Sequence, residues 1–375
     1  MKRVQQSFIA KDLSEKIVFL TGPRQVGKTV LAKSLKKYWS NLYYLNYDVS
    51  EDKTIFIKKQ WDRSVDIVVM DEVHKYKEWK TLIKGVYDTE GVSPHILVTG
   101  SAKLDLMRKS GESLAGRFYQ HRLYPFSVAE LKTIMSPQEA LDKLLRFGGF
   151  PEPFLGDSDK KAKRWRRLYI DRILKDDIYD MTAIRDIQSL FLLVELLRTK
   201  VGSPISYASL ARDIGVAPRT VKLWIEVLEN LYVIFKVVPY HRNIARAILK
   251  EPKIYFYDSA LVKGDKGIVL ENIVALCLLK HNHFLEDVEG DETGLYFLRD
   301  KEKREVDFVL EHNGKLISLI EVKYADSSLN KTLQYFHNRF PDILAIQLVY
   351  ELSKQKTIDG VSILKASNWL SQLKI

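Results

Sequence analysis

Gly22-Pro23-Arg24-Gln25-Val26-Gly27-Lys28-Thr29 is the stretch on which the reading of this chain turns. The octet fits G-x-x-x-x-G-K-[ST]. It follows the apolar run Ile17-Val18-Phe19-Leu20 and opens the helical text Val30-Leu31-Ala32-Lys33-Ser34-Leu35. The motif needs that order of strand, glycine-rich loop and helix. Backbone amides at the helix N-terminus cradle phosphates, the lysine neutralises charge on the β- and γ-phosphates, and the Thr hydroxyl reaches Mg²⁺. ATP and Mg²⁺ are therefore the expected cofactors, held by residues 22 to 29.

A second run, Ile67-Val68-Val69-Met70, ends in Asp71-Glu72. A strand ending in two acids supplies the other half of such a site. Asp71 is the expected Mg²⁺ partner, through water, and Glu72 the group that orients and polarises the attacking water. After a further run, His95-Ile96-Leu97-Val98, comes Thr99-Gly100-Ser101. Ser101 reads either as a polar sensor near the γ-phosphate or as the N-cap of a helix over 102–107. In Leu114-Ala115-Gly116-Arg117, a glycine before an arginine suits an arginine finger delivered to a neighbouring subunit, which implies a homo-oligomer if Arg117 acts in trans.

Working outward, short β-branched or aromatic runs alternate with amphipathic stretches from Lys16 to Arg122, the pattern of buried parallel strands in an α/β sheet. From about Ser136 to Lys200 the spacing turns helical, as in Ile187, Leu190, Leu193, Val194 and Leu197, with a bend at Gly148-Gly149-Phe150-Pro151. The expected division is 1–135 for an ATPase core, 136–200 for a helical lid or connector, 201–253 for a winged helix and 254–375 for a mixed α/β domain. At 375 residues, several modules are the expectation.

The net charge of +11 favours an anionic partner, nucleic acid before membrane. Lys160, Lys161, Lys163, Arg164, Arg166 and Arg167 concentrate that excess in one short stretch, which also reads as a solvated helix face. The single cysteine, Cys277, lies in an apolar stretch and excludes an intramolecular disulfide. No secretory leader or uninterrupted apolar span is legible, so the expectation is a cytoplasmic chain outside the membrane.

The octet, Asp71-Glu72, Thr99-Gly100-Ser101, Leu114 to Arg117, Leu123-Tyr124-Pro125-Phe126-Ser127 and Gly148 to Glu152 together resemble a family of prokaryotic AAA-type ATPases, related to the archaeal ATPases and STAND-like proteins. The resemblance spans nearly the whole chain. It implies that Pro151, in the Gly-Gly-x-Pro element, contacts the nucleotide base. The family's Ser-Ser after the sensor strand reads Ser101-Ala102 here, leaving one hydroxyl.

Tyr207 to Ile225 reads as a helix-turn-helix. Leu210, Ala211, Ile214 and Val216 make apolar contacts, Gly215 makes the turn, and Val221, Trp224 and Ile225 form an inward face. Tyr232 to Val238 is the expected wing. Arg219, Thr220 and Lys222 are candidates for DNA contact, against which Glu226 and Glu229 on the same helix would act.

Near the end, Glu305-Val306-Asp307-Phe308-Val309-Leu310, a turn at Asn313-Gly314, and Leu319-Ile320-Glu321-Val322-Lys323 read as a hairpin. It brings Asp307 beside Glu321 and Lys323: two carboxylates for Mg²⁺ and an ammonium for the nucleophile or transition state. The arrangement resembles the restriction-endonuclease-like PD-(D/E)xK fold, in which Glu271 on the preceding apolar helix would be a third acid. The alternative is a non-cleaving remnant kept for binding or assembly. Two functions are therefore expected: an Mg²⁺-dependent ATPase that binds and remodels DNA, including branched DNA such as Holliday junctions, or a STAND-like signalling or defence switch.

Overall fold

The computed structural model describes residues 3–100, 114, 116–177, 186–241 and 251–375. The chain divides into two compact units, Met1–Tyr124 and Pro125–Ile375. Ser101, the expected sensor, lies outside the described residues.

The first unit is built on five strands: β1 (Ile17–Thr21), β2 (Leu42–Asn46), β3 (Ile67–Asp71), β4 (His95–Thr99) and β5 (Phe118–Arg122). They pair in parallel in the order β2-β3-β4-β1-β5. Alternate residues feed opposite cores. Phe19, Val68, Met70, Ile96 and Val98 pack on one side with Trp79, Ile83 and Val86 of helix Trp79–Glu90. Val18, Leu20, Ile67, Val69 and Leu97 pack on the other with Ile9, Leu13 and Leu31 of helices Gln6–Leu13 and Lys28–Ser34. With both faces covered, each of the central strands can be continuously apolar, which is why they are legible as runs. β4 lies between the strand that feeds the glycine loop and the strand that ends in Asp71. Its last residue, Thr99, is in register with Asp71.

The second unit holds an eight-stranded sheet ordered β12-β13-β11-β10-β9-β8-β6-β7. Its strands are β6 (Ile234–Pro239), β7 (Lys253–Phe256), β8 (Thr293–Arg299), β9 (Glu305–His312), β10 (Lys315–Lys323), β11 (Leu344–Val349), β12 (Lys356–Ile358) and β13 (Val361–Lys365). Helix Lys266–Phe284 packs against it and buries Leu270, Ile273, Val274, Cys277 and Leu278. With its continuation to Glu289 it has the length and mean hydropathy, 1.3, of a membrane-crossing helix, but 67% of that apolar window is buried inside the fold. That burial marks a core helix.

The bend at Gly148-Gly149 has a steric cause. Gly148 has φ +71°, and a Cβ there would stand 2.0 Å from Asp258 Oδ1. A Cβ on Gly149 would lie 2.7 Å from the Phe126 carbonyl oxygen. Only hydrogen fits at either position, so the chain passes between two fixed neighbours into helix Pro151–Gly156, where Pro151 occupies the first turn.

Helices Tyr207–Ile214 and Pro218–Asn230 form the expected pair. The Ser206 hydroxyl caps the first, accepting from Ser209 N, and Gly215 at φ +81° ends it. Leu210, Ala211, Val221, Trp224 and Ile225 are buried as the spacing predicts. The strand read as a wing, β6, has two partners. β6 pairs antiparallel with β7 and continues into a parallel pairing with β8, Val238 opposite Tyr296 and Pro239 opposite Phe297. It is thus a strand of the large sheet. Alternation in the sequence specifies a strand but not its partner, which is why that pairing was not legible.

Candidate functional site: a phosphate loop and a lysine-centred acid cluster

Two glycines shape the loop after β1, for different reasons. Gly22, at φ +140°, passes so close to β5 that a Cβ would fall 2.1 Å from the Leu123 carbonyl oxygen. Gly27 has open space around it but φ +101°, a conformation that side chains resist. Between them Gln25 also takes a positive φ, +59°. Gly27 then starts helix Lys28–Ser34, which carries no acid in its first turn. An N-terminus of that kind attracts an anion. The buried Lys28 Nζ donates to the carbonyls of Gly22 (2.9 Å) and Pro23 (2.7 Å), so its ammonium is held over the mouth of the loop.

Three hydroxyls converge on Asp71. Thr29 Oγ1 donates to Asp71 Oδ2 at 3.1 Å, Tyr44 OH donates to the same oxygen, and the fully buried Thr99 donates to Oδ1. A carboxylate flanked by hydroxyls beside a phosphate loop suits Mg²⁺, a hard cation that takes oxygen ligands and keeps several waters. Thr99 and Tyr44 were not singled out in the sequence. The signal for Thr99 was its place at the end of a strand, and Tyr44 gave none.

Glu72 follows Asp71 in the left-handed region, φ +58°, which turns its side chain away from the strand direction. Burial raises its carboxyl above the ordinary carboxylate range; the Lys28 charge opposes the rise and Asp71 adds to it. His74 Nε2 lies 3.4 Å from Glu72 Oε2. A carboxylate with a raised proton affinity is a better base for water.

Arg117 forks onto Asp88: Nε donates to Oδ1 at 2.7 Å and an η-nitrogen to Oδ2 at 3.3 Å. Its delivery to another subunit requires release of that pair.

In the second unit the structure gathers the four expected polar residues and adds Lys253, Tyr255, Glu305 and Asn330, which were missed. Asn313 (φ +50°) and Gly314 (φ +75°) make the turn that joins β9 to β10, as their left-handed conformations allow. Val322 N donates to Asp307 Oδ2 at 2.9 Å. Lys323 Nζ and Asn330 Nδ2 both donate to Glu321 Oε1, at 2.7 and 2.9 Å. Tyr255 OH donates to Glu271 Oε1 at 2.6 Å. Burial and the neighbouring Asp307 charge push the carboxyls of Glu271 and Glu321 up, to about 7 and about 8.

At the centre stands Lys253, with Nζ 2.8 Å from Glu305 Oε1, 3.5 Å from Glu271 Oε1 and 3.6 Å from Asp307 Oδ1. Burial works against its charge, but Glu271, Asp307 and Glu305 outweigh that and hold the ammonium above the ordinary lysine range. Among the described residues, no group of three or more His, Cys, Asp and Glu side chains is arranged to hold a metal ion. The expectation that Asp307 and Glu321 hold Mg²⁺ meets a cluster that already contains two lysines: Lys253 among Glu271, Glu305 and Asp307, and Lys323 on Glu321.

On the helix pair, Arg219 and Lys222 are exposed and Thr220 half-buried. Glu229, expected to repel DNA, is neutralised by Lys236 Nζ at 2.7 Å. On helix Asp159–Arg172 the side chains of Lys160, Lys161, Lys163, Arg164 and Arg167 are exposed. Arg166 is instead drawn in, donating to the Phe147 carbonyl oxygen at 2.9 Å.

Residues 14–132 match the model of an AAA domain. The chain thus carries an AAA domain of the P-loop class over those residues. Two domains of unknown function follow in it, DUF8612 over residues 138–266 and DUF4143 over residues 266–369. Among relatives of the chain, an uncharacterized protein of Mycobacterium tuberculosis is 26% identical over 307 residues, 80% of this chain and 68% of the relative. An uncharacterized protein of Methanocaldococcus jannaschii is 23% identical over 364 residues, 88% of this chain and 79% of the relative. Among solved structures, C. elegans PCH-2 matches at a TM-score of 0.25 and 14% identity, covering 60% of this chain and 66% of that one. Nucleotide binding belongs to the AAA class, and the geometry around Gly22, Lys28 and Asp71 fits it.

Proposed function

We propose that this chain is an Mg²⁺-dependent ATPase that binds and remodels DNA. The observation that carries the ATPase reading is the convergence of Thr29, Tyr44 and Thr99 on Asp71, one residue before a half-buried glutamate of raised proton affinity. In this reading the loop from Gly22 to Thr29, with Pro23, Arg24, Gln25 and Val26 between its glycines, takes the phosphates, and Lys28 neutralises them. Bound Mg²⁺, held by Thr29 and Asp71, would offset charge on the β- and γ-phosphates. Glu72 accepts the proton of the attacking water, Arg117 acts in trans and Pro151 meets the base. The exposed cations at 160–167 and the trio Arg219, Thr220 and Lys222 support a DNA partner, since phosphate contacts supply most non-specific affinity.

Steady-state ATP hydrolysis, alone and with single-stranded, duplex and four-way-junction DNA, tests the proposal against Lys28→Ala and Glu72→Gln. Stimulation by one DNA form, lost in both variants, is expected and identifies the substrate. Slow turnover indifferent to every DNA sinks the DNA half of the reading.

The second reading is a STAND-like switch whose C-terminal module serves assembly with a partner. The cluster around Lys253 favours it, because acids already engaged by two lysines suit binding better than cleavage. Tight nucleotide retention without salt-dependent DNA affinity is the result that would select it.

A further inference from the structure

The acids of the large sheet surround a cation that belongs to the chain. Lys253 opens β7 at the sheet edge, and its side chain is only 1% exposed. The three carboxylates around Nζ come from β9 (Glu305 and Asp307) and from helix Lys266–Phe284 (Glu271). One positive point among carboxylates drawn from two elements is what a divalent ion would otherwise provide.

The ammonium is also pinned. Pro204 bridges to Lys253 in antiparallel fashion, and Ile205 N donates to the Pro252 carbonyl at 2.9 Å. Nζ stands 5.4 Å from the centre of the Phe297 ring. Gly202 closes the other side, where a Cβ would lie 2.8 Å from Glu271 Oε2. Several oxygens of the cluster are also held from within: Tyr255 donates to the Glu271 Oε1 that faces Lys253, the Val322 amide to Asp307 Oδ2, and Lys323 with Asn330 to Glu321 Oε1, while Glu321 Oε2 is buried without a hydrogen-bond partner. An incoming Mg²⁺ would meet a buried like charge that has nowhere to withdraw, and it would have to shed water to do so.

We propose that Lys253 is the resident counter-ion of this cluster and closes it to divalent cations, so that the C-terminal module carries its strand-end acids without metal-dependent cleavage of nucleic acid. The inference stands apart from the ATPase and DNA readings, because it concerns only contacts within the sheet and its helix.

Manganese binding to the full-length, nucleotide-free chain tests it, read from the paramagnetic resonance signal of free Mn²⁺. Thr29→Ala is used as the background so that the phosphate loop does not contribute. That protein is expected to take up no Mn²⁺ in the millimolar range that depends on Asp307. Adding Lys253→Met should create one equivalent of binding, and Asp307→Asn should abolish it. One equivalent bound by the background protein and lost with Asp307→Asn overturns the proposal. So does a folded Lys253→Met chain that gains none. If circular dichroism shows that Lys253→Met does not fold, the background and its Asp307→Asn derivative decide alone: equal uptake supports the proposal, and Asp307-dependent uptake overturns it.

Discussion

The hydroxyl of Thr29 and the carboxylate of Asp71 meet at 3.1 Å across 42 residues of chain, because β4 is inserted between the strand that feeds the loop and the strand that ends in the acid. Asp71 ends β3 and Thr29 lies in the helix that follows β1, so the two meet beyond the C-terminal ends of the strands, where parallel sheets place ligands. Removing the charge from Asp71 while keeping its shape should therefore cost metal affinity more than nucleotide affinity. Asp71→Asn is expected to raise the Mg²⁺ concentration for half-maximal turnover by about 10-fold or more, since hydrogen bonds and contacts to charged groups are worth about 1.5–3 kcal/mol. Mg²⁺ titration of the ATPase at saturating ATP checks this.

Glu72 should be visible in the pH profile. A general base works deprotonated, and burial lifts this carboxyl, so activity should fall away on the acid side at a pH above the ordinary glutamate value of about 4.3. Glu72→Gln should lower kcat by about 10²–10⁴-fold, the usual contribution of a positioned base, with little change in nucleotide affinity. An unchanged kcat would remove Glu72 from the chemistry.

Arg117 gives a concentration-dependent prediction. If its guanidinium leaves Asp88 to serve a neighbouring subunit, turnover per chain should rise with protein concentration in the wild type. It should stay flat and low in Arg117→Ala. Identical concentration dependence in the two proteins would leave Arg117 as the surface partner of Asp88.

The paired glycines predict a contrast in stability. Gly148→Ala puts a methyl 2.0 Å from Asp258 Oδ1 at a positive φ, and should destabilise by about 1–3 kcal/mol, as crowding and backbone strain do. Gly156→Ala, with nothing within 4 Å, should stay within about 0.5 kcal/mol of wild type. Urea unfolding of both variants checks the difference.

Glu321 predicts a pH-dependent gain. Its carboxyl value in the fold, about 8, lies above the unfolded 4.5, so the fold prefers the protonated form. The stability linked to this group is complete below about 4.5 and is lost as pH rises through about 8. Glu321→Gln, which stays neutral, should melt near wild type at pH 5 and progressively above it by pH 9, at about 2–4 °C for each kcal/mol relieved. A difference in melting temperature that does not change with pH would contradict this account.

Where the sequence was legible, a local rule coincided with the tertiary one. Ile67 to Met70 reads as a buried strand because both its faces are covered. Gly215 reads as the turn between two helices because ending a helix at a left-handed glycine is local chemistry. β5, with Phe118-Tyr119-Gln120-His121-Arg122, carried no such signal: it borders the sheet on one side only and tolerates polar residues. Lys253 was illegible for a deeper reason. Before Ile254-Tyr255-Phe256 a lysine looks like the wet end of a strand. Only the fold brings Glu271, 18 residues on, together with Glu305 and Asp307, more than 50 residues on, to meet it. Tyr44 and Thr99 around Asp71 were hidden in the same way.

The shared strand β6 has a further consequence. It leaves the helix pair directly, bonds β7 on one side and β8 on the other, and so ties Trp224 and Ile225 to the ladder that carries Lys253. Local opening of the helix pair cannot be independent of that ladder, and the two should behave as one cooperative unit in amide hydrogen exchange. Anything that grips Arg219 or Lys222 hard enough to slow exchange there should also slow it at Tyr255 and Phe256, on the far side of β6. The exchange rate of a buried strand would then report on an encounter at an exposed helix.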